Sequence, residues 1–297
     1  MTSPKTLLSA WNLRPKKQFG QNFLHDPSTA KMIVNRSNLA ADDVIVEIGA
    51  GLGALTIPVA QTAKRVYAVE KDDEIARVLR TELNNHDIDN VILFNKDILD
   101  VDIDGIGDQE GCKLIVLGNL PYNISSQVLV ALIKARRFIN RAVLMFQKEV
   151  AQRLCAGPGT KDYGRLSVML QYCADVRKVA TVGAHQFLPK PKIASEVIEI
   201  RFKETIKDPV KDEPLLSDVV KAAFSTRRKT LKNALLNIGM DMEPKDIVNI
   251  LTTAAIDPSR RAESLSVSEF VCLTNVFYEF KDSGRLESNI GKSDSEK

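Results

Sequence analysis

The 297-residue chain has few of the side chains that cross-link proteins or bind metals: four cysteines and three histidines. Cys112, Cys155, Cys173 and Cys272 are scattered without a Cys-x-x-Cys pair, which argues against both a disulfide framework and a structural zinc site. No apolar run reaches the roughly 18 residues of a membrane span, and the N-terminus lacks the sustained apolar stretch of a signal peptide. The expectation is a cytoplasmic protein with no membrane partner. Internal repeats are also missing. Net charge is only +3, from 41 basic and 38 acidic residues, so the overall balance selects no partner. The basic residues do cluster, in "RPKK" (Arg14, Lys16, Lys17), "KARR" (Lys134, Arg136, Arg137) and "STRRKTLKNAL" (Arg227, Arg228, Lys229, Lys232). Each cluster suits phosphate contacts, although for any one such cluster a solvated helix face is the commoner arrangement.

What is present is strand alternating with helix. β-branched runs at 44–48, 65–69, 90–94, 113–118 and 141–146 are separated by helical patterns near 54–63, 73–84 and 124–136. That alternation predicts an α/β, doubly wound, mostly parallel sheet of Rossmann-like type. A helix is expected over 163–172. "VRKVATV" and "EVIEIRF" follow as strands added to one sheet edge, the second alternating apolar residues with charges like a partly solvated antiparallel strand. The charged, proline-punctuated stretch 203–214 reads as a linker. Beyond it helices are expected at 215–225, 228–238, 244–252 and 266–280. The domain plan is therefore an extension over 1–13, an α/β domain over 14–204, a small all-α domain over 205–281 and a disordered polar tail over 282–297.

"VEIGAGLGALT" sets Gly49, Gly51 and Gly53 between the first strand and the first helix, where a tight turn brings backbone close to a ligand. Its G-x-G-x-G spacing misses the G-x-G-x-x-G dinucleotide fingerprint, which counts against an NAD-dependent oxidoreductase. Glu70 ends the second strand, where an acid can bind ribose hydroxyls. Asp97 follows the third strand and Asn119 the fourth. Four consecutive strand ends thus carry Gly49, Glu70, Asp97 and Asn119, at the edge where open α/β sheets bind ligands. A ribose-binding acid without a pyrophosphate loop suits a phosphate-free adenosyl ligand, of which S-adenosylmethionine is the commonest.

In "GNLPYNIS", the Asn119 amide and the Pro121 carbonyl offer charge-free acceptors. An adenine amine is a poor nucleophile because its lone pair is delocalised into the ring; acceptors on its N–H bonds localise that pair. Tyr122 offers a stacking surface, worth about 1–3 kcal/mol per base. Read alone, the tetrad is also compatible with a proline–tyrosine turn capped by Asn119.

The ordered set "KKQFGQNFLHD", "VEIGAGLGALT", "NLPYNIS", "FQKEVAQRL", "YGRLSV", "FLPKPKIASEVI" and "RRKTLKNAL" resembles the bacterial small-subunit rRNA adenine dimethyltransferase family, from about residue 14 to 275. The resemblance implies a class I fold dependent on S-adenosylmethionine, with a small helical C-terminal domain. It further implies N6 dimethylation of two adjacent adenosines in the 3′-terminal hairpin loop of 16S rRNA, by a monomer acting on assembling small subunits. By motif, Asn22, Leu24, Gly49, Glu70, Asp97 and Asn119 would hold the cofactor. Asn119, Leu120, Pro121 and Tyr122 would engage the target amine, and Phe187 would face the flipped base from the other side. Lys190 and Lys192, with Arg227, Arg228 and Lys229, would contact RNA phosphates. The loop departs from many relatives in having Ala50 where they carry proline, and the extension before Arg14, with the sole Trp11, has no counterpart. A large-subunit rRNA adenine methyltransferase of the same fold and a non-catalytic RNA-binding assembly factor are the alternatives. The intact Glu70, Asp97 and Asn119-Leu120-Pro121-Tyr122 count against the second.

Overall fold

The computed structural model describes residues 2–226, 228–240 and 242–282. Its strands are β1 (Phe23–Leu24), β2 (Val44–Ile48), β3 (Arg65–Val69), β4 (Val91–Phe94), β5 (Leu114–Asn119), β6 (Ile139–Gln147), β7 (Ala174–Val182), β8 (Phe187–Leu188) and β9 (Ser195–Phe202). Seven of them form one sheet in the order β4-β3-β2-β5-β6-β9-β7, and β1 pairs with β8 in a separate ladder. β2 to β6 run parallel, whereas β9 is antiparallel to both β6 and β7. The doubly wound α/β sheet expected from the alternation is therefore present.

The helices are α1 (Pro4–Ala10), α2 (Pro27–Ser37), α3 (Thr56–Ala60), α4 (Asp73–Asn85), α5 (Ile103–Glu110), α6 (Ser125–Lys134), α7 (Lys148–Cys155), α8 (Arg165–Cys173), α9 (Glu213–Ala223), α10 (Leu231–Leu235), α11 (Pro244–Thr253) and α12 (Val267–Asp282). Local sequence accounts for their starts. Asp26 accepts from the N–H groups of Ser28 and Thr29 at the head of α2, with Pro27 at its first position, and Asp72 caps α4 through Glu74 N–H. α5 is absent from the sequence expectation, because its two glycines weigh against a helix. It forms because Asp102 caps it through Gly105 N–H and because Ile103 and Ile106 are buried.

The chain forms two compact units, one of residues up to 152 with 174–204, the other of 153–173 with the residues from 205 onward. This departs from the expected division in two places. The stretch 153–173, placed in the α/β domain by sequence order, belongs to the helical unit, where α8 packs on α9 and α12 and Tyr163 meets Phe224 edge-on at 6.1 Å. The N-terminal extension belongs to the α/β unit: Leu7 and Leu8 are buried with Phe23, Leu52, Ile75 and Val78. Of the tail, residues 283–297 lie outside the described residues.

β9 and β7 extend the sheet beyond β6 on one edge, as expected, with β9 antiparallel and between the two. The expected partial solvation of β9 is overturned: Glu196 and Glu199 on it are 3% and 4% exposed. Buried carboxylates need partners, and these have them: Lys178 Nζ reaches Glu196 at 2.6 Å, while Arg177 and Arg201 both bind Glu199. Burial opposes ionisation of Glu199, but the bonds from Arg201 and Arg177 outweigh it and hold its carboxyl below the usual carboxylate range. The alternation that suggests a wet face arises here from ion pairs across β7 and β9.

Candidate active site

At the carboxyl ends of β2, β3, β4 and β5 lies a cavity of about 400 Å³, within the size range of small-molecule sites. Its walls include Asn22, Leu24, Gly49, Glu70, Asp97, Asn119, Leu120, Pro121 and Tyr122. The turn after β2 is what admits a ligand there. Gly49 has φ 72°, and a Cβ on it would stand 3.3 Å from the Asn119 carbonyl oxygen. Glycine therefore permits both the left-handed turn and the close approach of two strand ends.

Glu70 is held by two backbone donors: Gly51 N–H to Oε2 and Asp72 N–H to Oε1, each at 2.9 Å. Burial pushes its pKa up against the pull of those donors. Asp97 accepts from Lys71 Nζ at 2.7 Å and from Leu99 N–H at 3.0 Å. Burial opposes its ionisation too, but Lys71 prevails and keeps its carboxyl below the ordinary range. Asn95 Nδ2 donates to the Glu70 carbonyl at 3.0 Å, tying the third strand end to the second.

Asn119 Nδ2 donates to the Asn22 carbonyl at 2.9 Å. With its donor side engaged, the amide presents Oδ1 as an acceptor without charge. The Pro121 carbonyl already accepts from Ile124 N–H at 3.2 Å, which uses one of its two lone pairs. Tyr122 is fixed through its hydroxyl, 2.9 Å from Ser195 Oγ at the start of β9. Asn22 Nδ2 bonds back to Gly20 O at 2.9 Å, so "GQN" is a turn that delivers the Asn22 carbonyl to Asn119.

Phe187 departs from expectation. It is 2% exposed and lies in the core cluster with Leu24, Val182 and Val197, not in the cavity wall. The reason is local pairing: Phe187 is in register with Leu24 across the β1–β8 ladder, and the adjoining Gln186 carbonyl accepts from His25 N–H at 2.9 Å. Lys190 and Lys192, just beyond, are exposed; Arg228 and Lys229 are exposed in the loop before α10; Arg227 lies outside the described residues.

Glu47 is a cavity-lining acid that the sequence reading misses, although a lone acid inside the apolar strand "VIVEI" is a signal in itself. It is 1% exposed, lines the cavity, and its Oε2 has no partner among the described residues. Burial, reinforced by the Glu70 charge, pushes its pKa up to about 8. The folded state thus holds a proton that the unfolded chain gives up near 4.5. Stability from this group is complete below that value and is lost as pH rises through about 8. We expect denaturation of the ligand-free protein at about pH 5 and about pH 8.5 to show a fall in stability that Glu47→Gln reduces. An identical slope in both proteins refutes this.

A doubly wound sheet whose ligand edge carries a glycine turn, a buried carboxylate and a charge-free amide belongs to the class of α/β proteins that bind an adenosyl ligand at their strand ends. Residues 12–277 match the model of the family described as ribosomal RNA adenine dimethylase, and the chain belongs to that family. It is 50% identical over 278 residues to the ribosomal RNA small subunit methyltransferase A of Desulforapulum autotrophicum, covering 94% of this chain and 97% of the relative. With the protein of that description from Desulfotalea psychrophila identity is 42% over 281 residues, 92% and 95% of the two chains. Among solved structures, a dimethyladenosine transferase from Plasmodium falciparum superposes with a TM-score of 0.74 at 25% identity, covering 88% of this chain and 98% of that one. S-adenosylmethionine is the methyl donor.

The cavity residues fit that donor. Glu70 keeps lone pairs free beyond its two backbone bonds for ribose hydroxyls, and the left-handed glycine turn brings backbone, without a Cβ, to the cavity wall.

Proposed function

We propose that the chain dimethylates N6 of two adjacent adenosines in the 3′-terminal hairpin loop of 16S rRNA, acting as a cytoplasmic monomer on assembling small subunits. The observation that carries the reading is the Asn119 amide, locked by the Asn22 carbonyl at 2.9 Å so that Oδ1 faces a target without charge. The small-subunit assignment is supported by the names of the two bacterial relatives, both small subunit methyltransferases. No helix among the described residues is long and apolar enough to cross a membrane.

In this reading Glu70 holds the ribose hydroxyls, Asp97 accepts from the adenine amine of the donor, and Asn22, Leu24 and Gly49 line its methionine and ribose parts. When bound, the donor supplies an electrophilic sulfonium methyl. Asn119 Oδ1 and the Leu120 and Pro121 carbonyls accept from the target N6–H bonds, which localises the nitrogen lone pair. The Tyr122 ring, anchored by Ser195, stacks on the extruded base and offsets part of the stacking given up on flipping. The site needs no histidine, because the proton is shed to water once the nitrogen has become alkylated.

The test is incubation with radiolabelled S-adenosylmethionine and unmethylated small subunits, large subunits or naked rRNA, followed by mass spectrometric mapping. Dimethyladenosine confined to small-subunit rRNA is the expected result, and its absence there overturns the reading. Exposed Lys190, Lys192, Arg228 and Lys229, with Arg227, are assigned to RNA phosphates. Reversing Arg228 and Lys229 to Glu is expected to weaken subunit binding and to flatten its salt dependence, the slope falling by about 0.7–0.9 for each phosphate no longer neutralised. An unchanged slope returns these side chains to a solvated surface.

A further inference from the structure

The two lysines of "RPKK" have different surroundings. Lys17 is exposed. Lys16 Nζ instead sits 3.0 Å from Asp72 Oδ1 and 2.6 Å from Glu74 Oε2. Gln21 Nε2 donates to the other oxygen of Asp72 at 2.9 Å, and Gln21 Oε1 accepts from Lys16 N–H at 2.7 Å. Asp72 is 3% exposed, so these two residues supply the side-chain donors to a buried carboxylate. Its own backbone N–H is one of the two donors that orient Glu70. The N-terminal segment therefore grips the turn that aims the Glu70 carboxylate, through contacts 51 and 56 residues apart in sequence.

Charge adds a second argument. Asp72 and Glu70 are buried acids two residues apart, and each disfavours ionisation of its neighbour. Burial alone would push the Asp72 carboxyl up, but the bonds from Lys16 and Gln21 outweigh it and hold it below its ordinary value. Without Lys16, two uncompensated carboxylates would share the turn. Either Asp72 would take up a proton and loosen the grip of Gln21, or Glu70 would, losing an acceptor for ribose hydroxyls.

We propose that Lys16 and Gln21 are positioning residues for methyl-donor binding: by clasping Asp72 they fix the Glu70 carboxylate, and Lys16 serves the donor site and not the RNA surface. This rests on the reading of Glu70 as the ribose ligand. The expectation that "RPKK" acts as one phosphate-binding cluster is thereby narrowed to Arg14 and Lys17.

The experiment is calorimetric titration of the full chain with S-adenosylhomocysteine, together with small-subunit binding across a salt series. Lys16→Met is expected to weaken S-adenosylhomocysteine binding about tenfold, the size of one missing charge-assisted hydrogen bond. Lys16→Arg restores most of that affinity, Lys17→Met leaves it unchanged, and Lys16→Met keeps the wild-type salt slope on subunits. In the Lys16→Met/Glu70→Gln double variant the losses do not add, because one acts through the other. Gln21→Leu, which alters no charge, weakens binding in the same direction and serves if Lys16→Met proves too unstable to titrate. Wild-type affinity in Lys16→Met beside weakened Glu70→Gln overturns the clasp. Wild-type affinity in Glu70→Gln overturns the ribose reading instead. A flattened salt slope in Lys16→Met moves that lysine back to RNA.

Discussion

Asn119→Ala is expected to lower kcat for methyl transfer by about 10²- to 10³-fold, the usual cost of deleting one preorganised polar group aimed at a reacting centre. S-adenosylhomocysteine affinity should change little. The split follows from what the side chain does. Asn119 donates one amide hydrogen to the Asn22 carbonyl, so its oxygen has a fixed direction before substrate arrives, and no reorganisation is needed during the reaction. The donor's ribose is held elsewhere, by Glu70 in its cradle of Gly51 and Asp72 N–H groups. Asn119→Asp is the informative companion. It keeps an acceptor but loses the hydrogen that bonds Asn22, and it sets a carboxylate oxygen against that carbonyl. It should therefore remain far below wild type. Single-turnover rates at saturating donor, paired with calorimetric titration, check both variants. Loss of donor binding alone in Asn119→Ala would show that the residue serves the cofactor and not the amine.

The ligand edge is legible in the sequence because it is built from short-range rules. A glycine turn after a buried strand, and single polar residues at successive strand ends, are readable once the strands are placed, and β2 and β3 fall on the expected residues. What cannot be read depends on partners far along the chain. Glu199 looks solvent-facing until β7 brings Arg177 beside it. Residues 153–173 follow the α/β strands in sequence yet bury α8 against helices that come forty or more residues later. Lys16 resembles its neighbour Lys17 in every local respect, and only the fold of the acidic turn at Asp72 separates them. Glu47 is a signal of the readable kind, since an acid inside a fully buried strand requires a reason.

Phe187 gives the sharpest separation between motif and structure. Family resemblance makes its ring a stacking surface for the flipped base; the fold buries it at 2% exposure in the cluster with Leu24 and Val197. The two roles differ in what truncation does. Removing a buried phenyl ring leaves a cavity, so Phe187→Ala should cost about 3–5 kcal/mol of stability with no RNA present. A ring exposed for stacking contributes about 1–3 kcal/mol to base binding and little to the free protein's stability. Activity of the alanine variant alone cannot decide, because a damaged β1–β8 ladder also displaces Asn22, which directly precedes β1. Phe187→Leu can. Leucine refills most of the volume at a cost of about 1–2 kcal/mol, but it offers no π-face. We expect Phe187→Leu to fold, to bind S-adenosylhomocysteine and to methylate small subunits at close to the wild-type rate, as a core residue should. If it instead folds and binds normally while transfer drops tenfold or more with a raised KM for subunits, the ring must leave the core to meet the base. The β1–β8 ladder would then be a conformation that opens during the catalytic cycle.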